Sequence, residues 1–471
     1  MEHRGACSAD DISGDGAGLM TKVPWALLRA DYPALDEATC GVGQVFIPDD
    51  DAVEAKCRAI YQAAAAAEGF EVLAWRDVPV DLSVVGPVAR KTMPRFRQIF
   101  LRSAAGLTGD DLERELFIVR KRVEKEKAAV FDKETAFDFF TCTLSNRTIV
   151  YKGMLNSSAV GPFFKDLTDA RYVTPFAIYH RRFSTNTNPR WPLAQPFRVL
   201  GHNGEINTLQ GNLNWVASRQ GGLSADAWRG REAELLPLCS AAESDSANLD
   251  HVAELLVRSG ASPQEALMVL VPEAYRNHPD LQRSYPEVEA FYEYWEGMQE
   301  GWDGPALLVF SDGNRVGARL DRNGLRPARY WQTADGMVYV ASEVGVLGDV
   351  LTNAANIVAK GRLGPGQMVL ADLASGTFEG NTAIAKAVAG AAPYGEWLAK
   401  CARRLGDLNA TRCAVLRGGW TLVGGRGSGW AGCCARAAAA VSIPVGGVAL
   451  PRGRRARARV TRHYSNLLPS S

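Results

Sequence analysis

The chain contains no Cys-x-x-Cys pair, and its only adjacent cysteines are Cys433 and Cys434, so neither a zinc nor an iron–sulfur ligand spacing is spelled out and no metal site is expected. Long apolar runs are also scarce. The stretch 437–450 is interrupted by Pro444 and by Gly446-Gly447, and it is shorter than the roughly 20 apolar residues that cross a bilayer, so no membrane segment is expected. Net charge is nearly absent as well. Fifty-three basic residues against 52 acidic ones leave +1, which argues against a nucleic-acid or anionic-membrane partner for the chain as a whole. The first residues carry Glu2, Asp10 and Asp11 without an apolar stretch, unlike a secretory signal or a transit peptide, so a cytosolic location is expected. Nine scattered cysteines, an odd number, fit reduced thiols better than a disulfide framework.

One absence is local. No lysine follows Lys400 and no carboxylate side chain follows Asp407, whereas Arg, Gly and Ala dominate there and Cys401, Cys413, Cys433 and Cys434 are concentrated there. A basic tail of this kind, with Arg452, Arg454, Arg455, Arg457 and Arg459, would suit nucleic acid, but it lacks the aromatic or helical scaffolding that presents charge. A shifted reading frame in a GC-rich gene is the preferred expectation for 397–471, and resequencing tests it.

What is present reads as globular. Hydrophobic residues make up 46% and charged residues 22%, and 471 residues suffice for about three domains or for one large mixed sheet with a tail. Alternating or apolar stretches bounded by turn residues predict strands over 43–47, 70–75, 139–144, 148–151 and 176–179. Helical periodicity covers 52–67, 110–130, 249–257 and 286–298, the second with a solvated Arg, Lys and Glu face. Strands return over 307–310, 315–320, 328–332 and 337–341 as an expected meander, with Ser311-Asp312-Gly313-Asn314 and Ala334-Asp335-Gly336 as turns. Segregated runs of strands and helices favour an α+β fold over a regular βαβ repeat.

The most informative stretch is His180-Arg181-Arg182-Phe183-Ser184-Thr185-Asn186-Thr187, followed by Arg190-Trp191-Pro192-Leu193-Ala194-Gln195-Pro196-Phe197 and His202-Asn203-Gly204-Glu205-Ile206-Asn207. The strand-like segments 176–179 and 197–200 place Arg182 and Asn203-Gly204 just beyond their ends, where a rigid sheet can hold a site. Asn203 offers an amide donor and Gly204 a backbone N–H without a Cβ in the way, a pair suited to an oxyanion. Arg182 can grip a carboxylate bidentately. Asp245, in Glu243-Ser244-Asp245-Ser246, can accept from a substrate ammonium. Each also has an ordinary explanation: Asn-Gly is a common hairpin turn, a lone Arg a surface ion pair, and Ser-Asp-Ser an N-cap.

Taken together and in this order, these motifs resemble the type-2 glutamine amidotransferases, most closely the amidotransferase domain of glutamate synthase large subunits. The likeness runs through Trp75-Arg76-Asp77-Val78-Pro79, Trp302-Asp303-Gly304-Pro305-Ala306, Asp321-Arg322-Asn323-Gly324-Leu325-Arg326-Pro327 and Gly361-Arg362-Leu363-Gly364-Pro365-Gly366, so residues 1–396 are expected to form that domain. The resemblance implies the αββα sandwich of N-terminal-nucleophile hydrolases, here incomplete at its N-terminus, and a glutaminase activity that releases ammonia for glutamate synthesis. It implies L-glutamine as ligand, with Arg182 on the α-carboxylate, Asp245 on the α-ammonium, Thr185 in the pocket wall, and Asn203 with Gly204 as the oxyanion hole. FMN and an iron–sulfur cluster belong to the complete enzyme, with ferredoxin or a reductant-supplying subunit as its partner. No cofactor is expected in this chain.

The nucleophile of that family is a cysteine at the mature N-terminus, whose own amine can act as base. Cys40-Gly41-Val42-Gly43 resembles such a start after removal of residues 1–39. Met1 to Ala6 and Ser13 to Gly18, however, resemble a segment that follows the nucleophile in the family, and in that register Cys40 opens a later strand. The expectation is therefore a chain without the attacking thiol, inactive by itself and missing a strand of its sheet. Two alternatives stay open: a self-processed glutaminase using Cys40, and a non-catalytic glutamine-binding module.

Overall fold

Residues 10, 12–181, 188–276, 278–346, 348 and 354–402 are described by the structure, a computed structural model. Their strands are β1 (Ala17–Lys22), β2 (Cys40–Ile47), β3 (Phe70–Asp77), β4 (Arg95–Ser103), β5 (Phe140–Ser145), β6 (Thr148–Gly153), β7 (Ala177–His180), β8 (Leu200–Gly204), β9 (Ala306–Ser311), β10 (Arg315–Leu320), β11 (Arg329–Thr333), β12 (Val338–Ala341), β13 (Ile357–Arg362), β14 (Met368–Asp372) and β15 (Thr377–Gly380). They form antiparallel sheets in the orders β3-β4-β2-β5, β6-β1-β7, β15-β14-β10-β9-β8 and β12-β11-β13.

Side-chain alternation builds the first sheet, because successive residues of a strand face opposite sides. Cys40, Val42 and Phe46 of β2 join Phe96 and Phe100 of β4 in one core, while Val45, Ile47, Ile99 and Leu101 face another. Helices Asp51–Ala67 and Gly109–Val130 cover the second face with Ile60, Tyr61, Leu112, Leu116 and Val119. The first of these helices begins where the Asp50 carboxylate accepts the Val53 N–H, a cap worth about 1 kcal/mol. The opposite face of the sheet meets β6-β1-β7 through Met20, Tyr151, Ile178 and Trp191. The five-stranded sheet turns Leu200, Leu308, Phe310, Met368 and Leu370 toward helices Asp245–Arg258, Pro263–Leu270, Pro286–Glu296 and Asn381–Ala389. Its other face reaches the β6-β1-β7 side through Val309 and Val316. These are antiparallel sheets with helices packed on them, an α+β arrangement as the segregated pattern predicts.

Strand β4 is the main element that the sequence pattern does not announce. Its polar residues are matched inside the fold: Gln98 donates to Gln44 and to Tyr151, both at 3.0 Å, and accepts from Arg76, which forms a two-bond ion pair with buried Asp166. The expected meander over 307–341 is corrected to two hairpins in different sheets. β10 takes β14 as its second neighbour, and β11 takes β13. The turn after β10 explains the change of sheet. Buried Asp321 accepts from the Ala306 and Asn323 N–H groups, and Gly324, at φ +62°, packs so closely on Pro365 that a Cβ would lie 2.8 Å from it.

The expected boundary between 396 and 397 falls inside helix Tyr394–Cys401. Tyr394 meets Phe291 edge-to-face at 5.2 Å and Trp397 lies tilted against Tyr294 at 5.4 Å, both on the Pro286–Glu296 helix, so this turn belongs to the folded unit. The arginine-rich segment 403–471 lies outside the described residues. Among the described residues, no helix is long and apolar enough to cross a membrane.

Candidate functional site

Strand β8 is an edge strand, hydrogen-bonded only to β9, so one side of its backbone needs partners from elsewhere. The start of that side is held by Asp250, a fully buried residue of helix Asp245–Arg258. Its carboxylate accepts the N–H groups of Arg198, Val199 and Leu200 at 3.1, 2.8 and 3.1 Å. Farther along, His202 N–H donates to Gln195 Oε1 at 2.7 Å and its carbonyl accepts from His180 Nε2 at 3.0 Å. Since Leu200 and His202 both turn their backbone groups to the free edge, the alternation of an antiparallel ladder turns Gly204 N–H the same way.

Asn203 and Gly204 are therefore not beyond the strand, as the sequence pattern suggests, but are its last two residues, opposite Leu307 and Ala306 of β9. The hairpin reading of Asn-Gly is excluded by the same register. Asn203 is exposed, with its side chain on the face opposite His202. Gly204 has a steric reason to be glycine: a Cβ there would lie 1.9 Å from the carbonyl oxygen of Pro305.

The N-cap expected in the Asp245 segment is formed by its neighbour Ser244, which accepts the Ala247 N–H, and Asp245 is the first helical residue. One carboxylate oxygen of Asp245 accepts the Ile206 N–H at 2.9 Å, and the other accepts the Ser246 N–H at 2.7 Å and its hydroxyl at 3.0 Å. A single helix thus grips the chain on both sides of Asn203-Gly204. His202 stands beside this group, with Nδ1 2.8 Å from Ser246 Oγ. Burial lowers the pKa of both His180 and His202 to about 4, so both imidazoles are neutral at neutral pH.

Of the residues expected in the site, the structure brings Asn203, Gly204 and Asp245 together around the end of β8, whereas Arg182 and Thr185 lie outside the described residues. Cys40 is elsewhere. It is the buried first residue of β2, paired with Arg102 of β4, its sulfur accepts the Asp36 N–H at 3.4 Å, and burial pushes its thiol pKa up. Gln195, Ser246 and Asp250 were given no role from sequence, although the first two stand inside the quoted motifs. An amide within the otherwise apolar Trp191 to Phe197 run was the available signal for Gln195; Asp250 left none, being one more polar residue in a helix. Among the described residues, no group of three or more His, Cys, Asp or Glu side chains could hold a metal ion.

Residues 1–397 match the family described as class-II glutamine amidotransferases. The chain belongs to that family. Similar curated proteins include ferredoxin-dependent glutamate synthases from Oryza sativa subsp. japonica, 54% identical over 87% of this chain and 25% of the relative, and from Spinacia oleracea, 51% identical over 88% and 26%. Another, from Synechocystis, is 50% identical over 84% of this chain and 25% of the relative. The amidotransferase chain thus spans about a quarter of the length of the curated relatives it matches. A glycine N–H turned to the free edge of a strand, with a carboxylate nearby, can hydrogen-bond an amide. Neither β7, β8, β9 nor helix Asp245–Arg258 carries a cysteine.

Proposed function

We propose that this domain binds L-glutamine at the end of β8 and polarises its side-chain amide, as the amidotransferase part of a ferredoxin-dependent glutamate synthase. In this reading the Asn203 amide and the Gly204 N–H take the developing oxyanion, Asp245 takes the α-ammonium, Arg182 takes the α-carboxylate and Thr185 lines the wall. The observation that carries the reading is the free-edge Gly204 N–H, on a strand end held in place by Asp245 and Asp250. Donors fixed before the reaction cost no reorganisation when charge develops, and one such donor is typically worth about 3 kcal/mol.

The αββα arrangement also belongs to this proposal. The contacts that support it run from the Asp51–Ala67 and Gly109–Val130 helices through two layers of sheet to the Asp245–Arg258 group of helices. Strands β7, β8 and β9 bring no thiol, so hydrolysis in this reading needs a cysteine from outside them; Cys40, buried at the start of β2, would serve only in the self-processed alternative. In this reading FMN, an iron–sulfur cluster and a ferredoxin partner would belong to the ammonia-accepting part of a complete glutamate synthase. The cytosolic location expected from sequence stands beside a chloroplast, which the names of several plant relatives raise; a fluorescent fusion distinguishes them.

Calorimetric titration with L-glutamine tests the reading. Saturable binding, abolished by Arg182→Ala and by Asp245→Ala, is expected; heat of binding that survives both substitutions would place the ligand elsewhere.

A further inference from the structure

The carboxylate of Asp245 is held more firmly than ligand binding alone requires. A carboxylate only accepts, so the Ser246 hydroxyl hydrogen points to Asp245 Oδ1, 3.0 Å away. The Ser246 oxygen must then accept from His202, which fixes the imidazole hydrogen on Nδ1 at 2.8 Å. His202 is held in turn through its own backbone: its N–H by buried Gln195 at 2.7 Å and its carbonyl by His180 at 3.0 Å. The other ring nitrogen, Nε2, is buried and has no hydrogen-bond partner among the described residues. A histidine with one ring nitrogen left unsatisfied in the interior costs stability, so its retention calls for a role.

We infer that Ser246 and His202 are positioning residues that orient the Asp245 carboxylate toward a substrate ammonium, and so make the site demand an α-amino group. The inference rests on the glutamine reading above. Asp245 has about four acceptor positions. Ile206 N–H, Ser246 N–H and the Ser246 hydroxyl fill three, which leaves about one directed outward from a half-buried carboxylate. Because burial keeps His202 neutral, the imidazole supplies a hydrogen bond without a positive charge. The negative charge of Asp245 therefore stays available to an incoming cation. A cationic residue in the same place would neutralise it and remove the distinction between an amine-bearing ligand and one without.

The test compares L-glutamine with its des-amino analogue, 4-carbamoylbutanoate, by calorimetry on the intact chain, with thermal unfolding to confirm that each variant is folded. The unsubstituted protein is expected to prefer L-glutamine. Ser246→Ala and His202→Leu should each weaken L-glutamine binding by about tenfold while leaving the analogue unchanged, and His202→Asn, which keeps a donor near the position of Nδ1, should restore the preference. Equal weakening of both ligands, or an undiminished preference in Ser246→Ala, overturns the inference alone. Unsubstituted protein that binds neither ligand overturns the glutamine reading and the inference with it.

Discussion

The carboxylate of Asp250 lies 3.1 Å from the backbone nitrogen of Leu200, so the first residue of β8 is held by a helix side chain and not by a neighbouring strand. Arg198 and Val199 donate to the same carboxylate. Replacing Asp250 with Ala would leave three buried N–H groups without an acceptor. A loss of about 3 to 5 kcal/mol in urea unfolding is expected, together with faster hydrogen exchange at 198–200. Unchanged exchange there would show that the carboxylate does not anchor the strand.

Acid should weaken the fold through the two buried imidazoles. Their folded-state pKa values lie at about 4, below the ordinary 6.5, so the unfolded chain takes up these protons first. Their contribution is complete above about pH 6.5 and is lost as pH falls toward about 4, amounting to about 3 kcal/mol for His202. Urea midpoints measured between about pH 7 and about pH 5 should fall, and His202→Gln should flatten part of that slope.

Gly204→Ala sets a methyl group against the Pro305 carbonyl, at 1.9 Å before any relaxation. The end of β8 must then part from β9. A destabilisation of about 2 kcal/mol or more is expected in thermal unfolding, with loss of L-glutamine binding.

Cys40 is expected to behave as a core residue. Its buried thiol should react with a thiol reagent only on unfolding, and Cys40→Ala should cost about 1 to 2 kcal/mol without touching L-glutamine binding. The chain by itself should bind L-glutamine without releasing ammonia. Ammonia release abolished by Cys40→Ala would instead establish the self-processed enzyme.

A chain ended after Glu396 should show a lower thermal midpoint than one ended after Ala402, since it removes Trp397 from Tyr294 and Tyr394.

Elements whose partners are local were legible in the sequence. Helix Gly109–Val130 was legible to within one residue from its periodicity, although its charged face is not solvated as expected, since Glu113, Arg120 and Lys121 are buried, Arg120 against Glu254 and Glu113 against Arg258; β9 with β10 was legible from the Ser311-Asp312-Gly313-Asn314 turn between them. β4 was not, because Arg97 and Gln98 break the apolar pattern and find their partners, among them Glu54, Asp77, Arg76, Gln44 and Tyr151, through folding. The site divides in the same way. Asn203, Gly204 and Asp245 could be named from their chemistry and from family resemblance. That Asp245 would hold Ile206, or that Asp250 would hold three successive N–H groups, depends on a helix crossing a strand end some fifty residues earlier in the chain, which no local pattern encodes.

The two side chains on the His202 backbone have one more effect. Gln195 occupies its donor and His180 its acceptor, so at this residue they stand in for the strand that a sheet edge would otherwise recruit. A peptide adding alongside β8 would have to displace both, whereas a single small molecule needs only the glycine beyond them. At His202 the border is thus closed to a further strand.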